Sequence, residues 1–287
     1  MPEQTLSVVI PVYNEEKYLK RCIDALLKQI DFITEIVVVD NNSNDSSVSI
    51  LKEYSERFDK VKFISESVPG VVHARNAGFD STKSSLIGRI DADTVVSDGW
   101  AKCVIDFFTY RDDISGATGL SYLYETPISN YRTRSLDRQV ERGKIRDARP
   151  LPMLQGNNMA IRRDAWDSVR DVVSVSDTIH EDIDLTMCFI EKNLAIVQLL
   201  GMRAEISGRR GWTSPLEYAR YIGASRRTYA RHGIKNPLLT ALLGINILMH
   251  IVLWPFHLAY DPIREHMSVR NLLQSRSTRA LPFSSDR

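Results

Sequence analysis

The sequence predicts an α/β protein on a doubly wound, mainly parallel sheet of Rossmann-like form, followed by a helical, apolar C-terminal extension. Three observations predict it. Apolar runs near residues 6–12, 35–40 and 85–90 alternate with segments of helical period, the pattern of βαβ units. These runs are nearly continuous, as strands covered on both faces are. Each ends in a polar cluster, and the carboxyl ends of parallel strands form the crevice where open α/β sheets bind ligands.

The elements follow in order. Leu6 to Val12 reads as a buried strand. Asn14 can cap the next helix, with Glu15 and Glu16 in its first turn; Tyr18, Leu19, Cys22, Ile23, Leu26 and Leu27 carry its helical period. Glu35 to Asp40 is a second strand. The spacing predicts a helix over 46–58 with Val48, Leu51, Ser55 and Phe58 on one face. Lys62 to Ser65 is a third strand, and Val71 to Asp80 a helix whose Ala74, Ala77 and Gly78 permit close packing. The strand into Asp91 follows.

Beyond Asp113 the pattern is less regular. Tyr131 to Arg142 reads as a charged, exposed helix and 146–150 as a loop. Ile183, Leu185, Cys188 and Phe189 indicate a helix after His180-Glu181-Asp182, and 195–200 a further strand. Ser214-Pro215-Leu216-Glu217 is a capping box with proline at the first helical position, and Gly233 ends that helix.

Composition narrows the class. The chain has 287 residues, 43% hydrophobic and 25% charged, as in an ordinary globular protein. Net charge is 37 − 36 = +1, so no nucleic-acid partner is expected. Three separated cysteines, Cys22, Cys103 and Cys188, give neither a disulfide framework nor zinc spacing, and a reducing cytosol is the natural compartment. The N-terminal residues lack a signal-peptide pattern. The tail differs from the body: no Lys, Arg, Asp or Glu lies between Lys235 and Asp261. That stretch meets the requirement of roughly 20 apolar residues for a membrane span, while Asn246, His250 and Pro255 weaken the case. Arg226, Arg227, Arg231 and Lys235 precede it, and Arg264, Arg270, Arg276 and Arg279 follow, so charge sets no clear orientation. A spanning helix, an interfacial helix and a helix docked on the protein all stay open.

The chemistry sits at strand ends. Asp91 and Asp93, spaced i, i+2 after an apolar run, are out of place structurally because aspartate is a poor strand residue. Two such carboxylates hold a hard divalent cation, which keeps waters and bridges to substrate phosphates. Asp40-Asn41-Asn42-Ser43 ends the second strand; turn chemistry accounts for Asn41, Asn42 and Ser43. P-loop, G-x-G-x-x-G and G-x-S-x-G signatures are missing, so diphosphate charge must be met by a metal and by arginines, with Arg75, Arg209 and Arg210 as candidates. Glu181 and Asp182 offer a base for a sugar hydroxyl; an acidic helix start stabilised by the macrodipole is the structural alternative. His180 is the weaker metal candidate, since no second histidine has ligand spacing.

Six segments in order resemble the inverting family 2 glycosyltransferases, which have a GT-A fold. They are Val9-Ile10-Pro11-Val12-Tyr13-Asn14-Glu15, residues 35–45, Gly70 to Gly78 around Arg75-Asn76-Ala77-Gly78, Asp91-Ala92-Asp93, Gln155-Gly156-Asn157-Asn158-Met159-Ala160, and Glu181-Asp182. The resemblance runs from about Ser7 to Trp212. It implies a GT-A domain over 1–212, with a nucleotide-binding half of about 1–113 and an acceptor half of about 114–212. The extension is then 213–287, with a membrane-associating segment at about 236–260. It implies that Pro11, Tyr13, Glu15 and Asp40 hold the nucleobase and ribose, and that Arg75 and Asp91 contact the nucleotide. Asp93, with Asp91, would bind Mn²⁺ or Mg²⁺. Asp182 would be the general base beside Glu181, and Gly156, Asn157 and Trp212 would face the acceptor.

The expected reaction is transfer of one sugar, of hexosyl type, from a nucleotide-diphosphate sugar donor to a sugar or lipid-linked acceptor of a cell-envelope polysaccharide, at the cytoplasmic face of a membrane. One departure bears on this. Where processive synthases carry Gln-x-x-Arg-Trp, this chain has Gly208-Arg209-Arg210-Gly211-Trp212, which favours single transfer. The rival readings are a sugar nucleotidyltransferase and a non-catalytic nucleotide-sugar-binding scaffold.

Overall fold

The structure is a computed structural model that describes residues 3–273. Strands β1 (Leu6–Val12), β2 (Glu35–Asp40), β3 (Val61–Ser65) and β4 (Leu86–Ile90) form the first half of one sheet, alternating with helices α1 (Leu19–Leu27), α2 (Ser47–Arg57) and α3 (Val71–Ser81). Their order is β3-β2-β1-β4, and every pair is parallel. The second half adds β5 (Thr94–Val96), α4 (Trp100–Tyr110), β6 (Gly116–Tyr124), α5 (Ser129–Glu141), β7 (Arg149–Pro150) and β8 (Asn158–Arg162). It continues with α6 (Arg163–Val169), α7 (Glu181–Glu191) and β9 (Ile196–Ser207). The sheet runs on through β8, β6, β9 and β5, with β7 also on β9. Here β8, β5 and β7 pair antiparallel and only β6–β9 is parallel, so the sheet is mixed.

Alternation along each strand feeds two cores. Val8 and Ile10 face α1, α2 and α4, burying Leu19, Ile23, Leu51, Trp100 and Phe108. Val9, Val37 and Val39 face α3, α6 and α7, burying Phe79, Trp166 and Phe189. Both faces of β1, β2 and β4 are therefore dry, which explains why these strands read as continuous apolar runs.

Several local expectations are corrected. Asn14 does not cap α1: it sits at φ 55° and its side-chain oxygen accepts from the Asn44 amide at 2.8 Å. Glu15 and Glu16 precede the helix, which begins only at Leu19. The buried face of α2 is Ser47, Ile50, Leu51 and Tyr54, not the Val48 stripe, because Tyr54 reaches Asp24 of α1 through its hydroxyl at 2.8 Å. Strand β9 is twelve residues long, twice the length the apolar run indicated, since its second half alternates polar residues at a register shift against β6.

Among the described residues the extension holds two helices, α8 (Pro215–Arg231) and α9 (Pro237–Ala259), followed by a short antiparallel pair, Tyr260–Asp261 with His266–Met267. The Ser214–Glu217 capping box is present, and Asn236 caps α9 by accepting from the Leu238 and Leu239 amides. Between β9 and α8, the 3-10 segment Gly208–Trp212 meets α9. A side chain at Gly211 would place its Cβ 2.4 Å from His257 Nδ1. The glycine before Trp212 is thus required by α9, a cause the sequence pattern alone did not reveal.

Candidate active site

One cavity of about 700 Å³ opens where β1, β4 and β9 end. Pro11, Tyr13 and Glu15 come from the end of β1, Arg89 and Asp91 from β4, Gly156 and Asn157 from the turn into β8, and His180, Glu181 and Asp182 from the start of α7. Eight of the sequence candidates converge here, because parallel β1 and β4 end on one edge and α7 enters at that edge. Asp40, Arg75, Asp93 and Trp212 lie behind the wall. Asp40 accepts from the Ser43 amide, closing the loop after β2. Asn41 braces that loop through Glu66, Val68 and Gly70, in keeping with a turn role.

Arg75 does not reach the cavity. It is fully buried, gives Nη1 to the Glu181 carbonyl at 2.7 Å and bonds Asn76 Oδ1, so its placement supports the start of α7. Asp93 is 1% exposed, and Arg209 Nη2 lies 3.1 Å from its Oδ2 while also pairing with Glu15. The Arg209 guanidinium stacks 4.4 Å from the Tyr18 ring centre. Of the other arginines named from sequence, Arg210 lines the cavity and sits 4.5 Å over the Tyr221 ring.

Sequence reasoning missed Arg89. Its Nη2 lies 2.8 Å from Glu181 Oε1 and 3.2 Å from Asp91 Oδ1, so one guanidinium ties the two acidic clusters together. The available signal was its place two residues before Asp91, on the same face of a strand. Gly156 packs flat against it: a Cβ there would lie 1.7 Å from Arg89 Nη1. Gly156→Ala is expected to push Arg89 off both carboxylates and to cost about 1–3 kcal/mol, as overpacking does. Scanning calorimetry checks this, and an unchanged melting temperature would count against the contact.

Electrostatics separate the first two acidic residues of α7, Glu181 and Asp182. Burial works to raise the Glu181 carboxyl, but Arg89 and then Arg75 outweigh it and hold the group below the usual carboxylate range. Burial and the charge of Glu181 push Asp182 above that range. Asp182 Oδ1 accepts from its neighbour's amide, Ile183 N, at 2.8 Å, and its Oδ2 lies 3.5 Å from Gly156 N. A carboxylate of raised basicity at a cavity wall suits proton abstraction. The nearby His180, Glu181 and Asp182 offer one ligand atom each within 4.8 Å of one another. Carboxylate oxygens and one imidazole are donors that divalent cations take.

The mixed α/β sheet, with acidic strand ends around this cavity, has the GT-A fold. The chain belongs to glycosyl transferase family 2, whose profile, Glycosyl transferase family 2, matches residues 7–170. The uncharacterised glycosyltransferase YibD of Escherichia coli strain K12 is 33% identical over 293 aligned residues, covering 92% of this chain and 79% of that protein. Glycosyltransferase GlyA of Streptococcus pneumoniae is 31% identical over 114 residues, 39% of this chain. The chain matches only 16% of the length of GlyA and 18–42% of three further relatives. Among solved structures, the mannosyltransferase PcManGT of Pyrobaculum calidifontis, in complex with GDP-Man and Mn²⁺, has a TM-score of 0.62 at 17% identity, covering 94% of this chain and 78% of that one. At that identity the likeness shows the fold alone.

Proposed function

We propose that this chain is an inverting, metal-dependent glycosyltransferase that moves one sugar from a nucleotide-diphosphate sugar to an acceptor hydroxyl. The observation that carries the reading is the pairing of Asp91 and Glu181 on the single guanidinium of Arg89, with Asp182 beside them on the cavity wall. Donor-side and acceptor-side carboxylates then share one rigid support.

Pro11, Tyr13 and Glu15 form the end of the cavity that takes the nucleotide, with Asp40 behind them. Asp91 and Asp93 would hold a Mn²⁺ or Mg²⁺ ion at the end of β4. When bound, such an ion neutralises charge on the leaving diphosphate. Asp182 removes the proton of the acceptor hydroxyl, and Glu181, kept ionised by Arg89, holds α7's first turn in place. Gly156 and Asn157 floor the acceptor side, with Trp212 behind. Alignment of the two substrates supplies much of the rate. Arg75 serves by supporting α7 rather than by touching the nucleotide. The apolar wall that α9 lends to the cavity, through Leu242, Ile245 and Met249, favours a lipid-linked acceptor, and hence work at the cytoplasmic face of a membrane.

Calorimetric titration of UDP, GDP, dTDP and CMP, with and without Mn²⁺, tests the reading. Metal-dependent binding of one nucleoside diphosphate, lost in Asp93→Ala, is expected. No binding by folded protein would overturn it, and the nucleotide-sugar-binding scaffold alternative with it.

A further inference from the structure

Helix α9 carries Asn246, His250, Trp254 and His257 on the side that touches the protein. Asn246 accepts from the Tyr218 hydroxyl at 2.5 Å, and His250 Nε2 meets the Thr213 carbonyl at 2.8 Å. Trp254 donates to the Trp212 carbonyl at 3.2 Å, and His257 Nδ1 lies 3.3 Å from Thr126 Oγ1. Their spacing of four, four and three residues is one helical stripe. The His250 ring also stacks on Tyr218, with centroids 3.8 Å apart. The polar residues that weakened a membrane span in the sequence are thus a seam that fastens α9 lengthwise to the body.

Away from the seam the helix is apolar and uncovered. Leu238 is 67% exposed, Leu248 60%, Val252 55% and Phe256 54%. The helix has a mean hydropathy of 1.9, with only 6% of its apolar window buried. A contiguous apolar face of this kind marks an interaction surface. At its first turn a second cavity of about 320 Å³ lies between α8 and α9. Arg226, Lys235 and Tyr229 stand at it over Ile234, Leu239 and Leu243: cations above an apolar floor. Arg227 near this end, and Arg264 and Arg270 beyond the other, are exposed.

We propose that α9 lies flat in the headgroup region of an anionic membrane, with Leu248, Val252 and Phe256 in the acyl boundary and an anionic phospholipid headgroup between Arg226 and Lys235. The charge pattern and the apolar face both match an interfacial helix, and basic residues beside such a face favour anionic lipid. A spanning helix is disfavoured because it would have to strip Asn246, His250 and His257 of their partners and bury them in hydrocarbon. In the flat pose the outer apolar face continues into the cavity wall at Leu242, Ile245 and Met249, so a lipid-linked acceptor enters from the membrane side. Docking does not depend on the transfer chemistry, but this last consequence rests on the function proposed above.

The test is co-sedimentation of the full chain with vesicles of phosphatidylcholine alone and of phosphatidylcholine with phosphatidylglycerol. Binding to the anionic vesicles at least ten-fold above the neutral ones is expected, reversed by alkaline carbonate. L248E/V252E should abolish it, and R226A/K235A should remove the preference for anionic lipid; circular dichroism verifies that each variant folds. Neither pair belongs to the catalytic cavity, so metal-dependent nucleotide binding should persist and separates failure here from failure of the transferase reading. Absence of binding by folded protein overturns the proposal. So does binding that resists carbonate, which means insertion, or a dimer that L248E/V252E dissociates, which means that a second copy covers the face.

Discussion

Asp182→Asn is expected to lower turnover by about 10²–10⁴-fold, the range that a positioned general base contributes. Donor affinity should stay within a few-fold of the parent, because the proposed role of Asp182 is toward the acceptor and the Arg89–Glu181 and Arg89–Asp91 contacts are untouched. The amide cannot take a proton from the acceptor, but it fills the same space. The parent enzyme should also show an acid limb. Asp182 has to be ionised to act, and burial with the neighbouring Glu181 raises its pKa above the ordinary 3.8. Rate therefore rises with pH through a midpoint above that value, and the residual rate of the asparagine variant loses the limb. Steady-state kinetics across pH measure both effects. A sugar nucleotidyltransferase needs no acceptor base and would keep its rate, so full activity in this variant would sink the proposed mechanism.

Arg209→Met is expected to destabilise the fold by about 3–5 kcal/mol, the cost of leaving buried charge without its partner. Glu15 and Asp93 are 8% and 1% exposed, and Arg209 is the cation that both carboxylates contact. Methionine keeps much of the side-chain volume and removes the charge. Mn²⁺ should then raise the melting temperature more in the variant than in the parent, since a bound cation replaces the missing one; saturation at 100 times the dissociation constant is worth about 2.7 kcal/mol. Thermal scans with and without Mn²⁺ decide it. A variant as stable as the parent would show that the three-residue cluster is not what holds the segment Gly208–Trp212 to the ends of β1 and β4. Loss of stability without any Mn²⁺ effect would separate a structural Arg209 from one that guards Asp93.

The parallel half of the sheet was legible because β1, β2 and β4 are dry on both faces and end in polar clusters. Each of those signals is local: a run of apolar residues, a change to helical period, a pair of aspartates. The second half was harder to read. Strand β5 has three residues and β7 has two, too short for a period to show, and half of β9 alternates like a solvent-facing strand. Helices α4 and α6 also went unread. The convergence of Pro11, Tyr13, Glu15, Asp91, Gly156, Asn157, Glu181 and Asp182 followed from strand order. The side-chain partners did not, because Arg75, Arg89 and Arg209 owe their positions to residues up to 194 places away in sequence.

By itself the sequence determined which residues form the strands of the parallel half and that their carboxyl ends carry acids. It also determined that the segment at 236–260 is uncharged. These are properties of neighbours in the chain, set by burial period and by the cost of placing charge on a strand. Only the tertiary structure decided that Asp93 faces Arg209, that Arg89 bridges Asp91 and Glu181, and that α9 turns Asn246, His250, Trp254 and His257 toward the body. Each of those depends on which charges and carbonyls meet across the fold, and a buried ion pair or a carbonyl in search of a donor selects its partner by proximity in space.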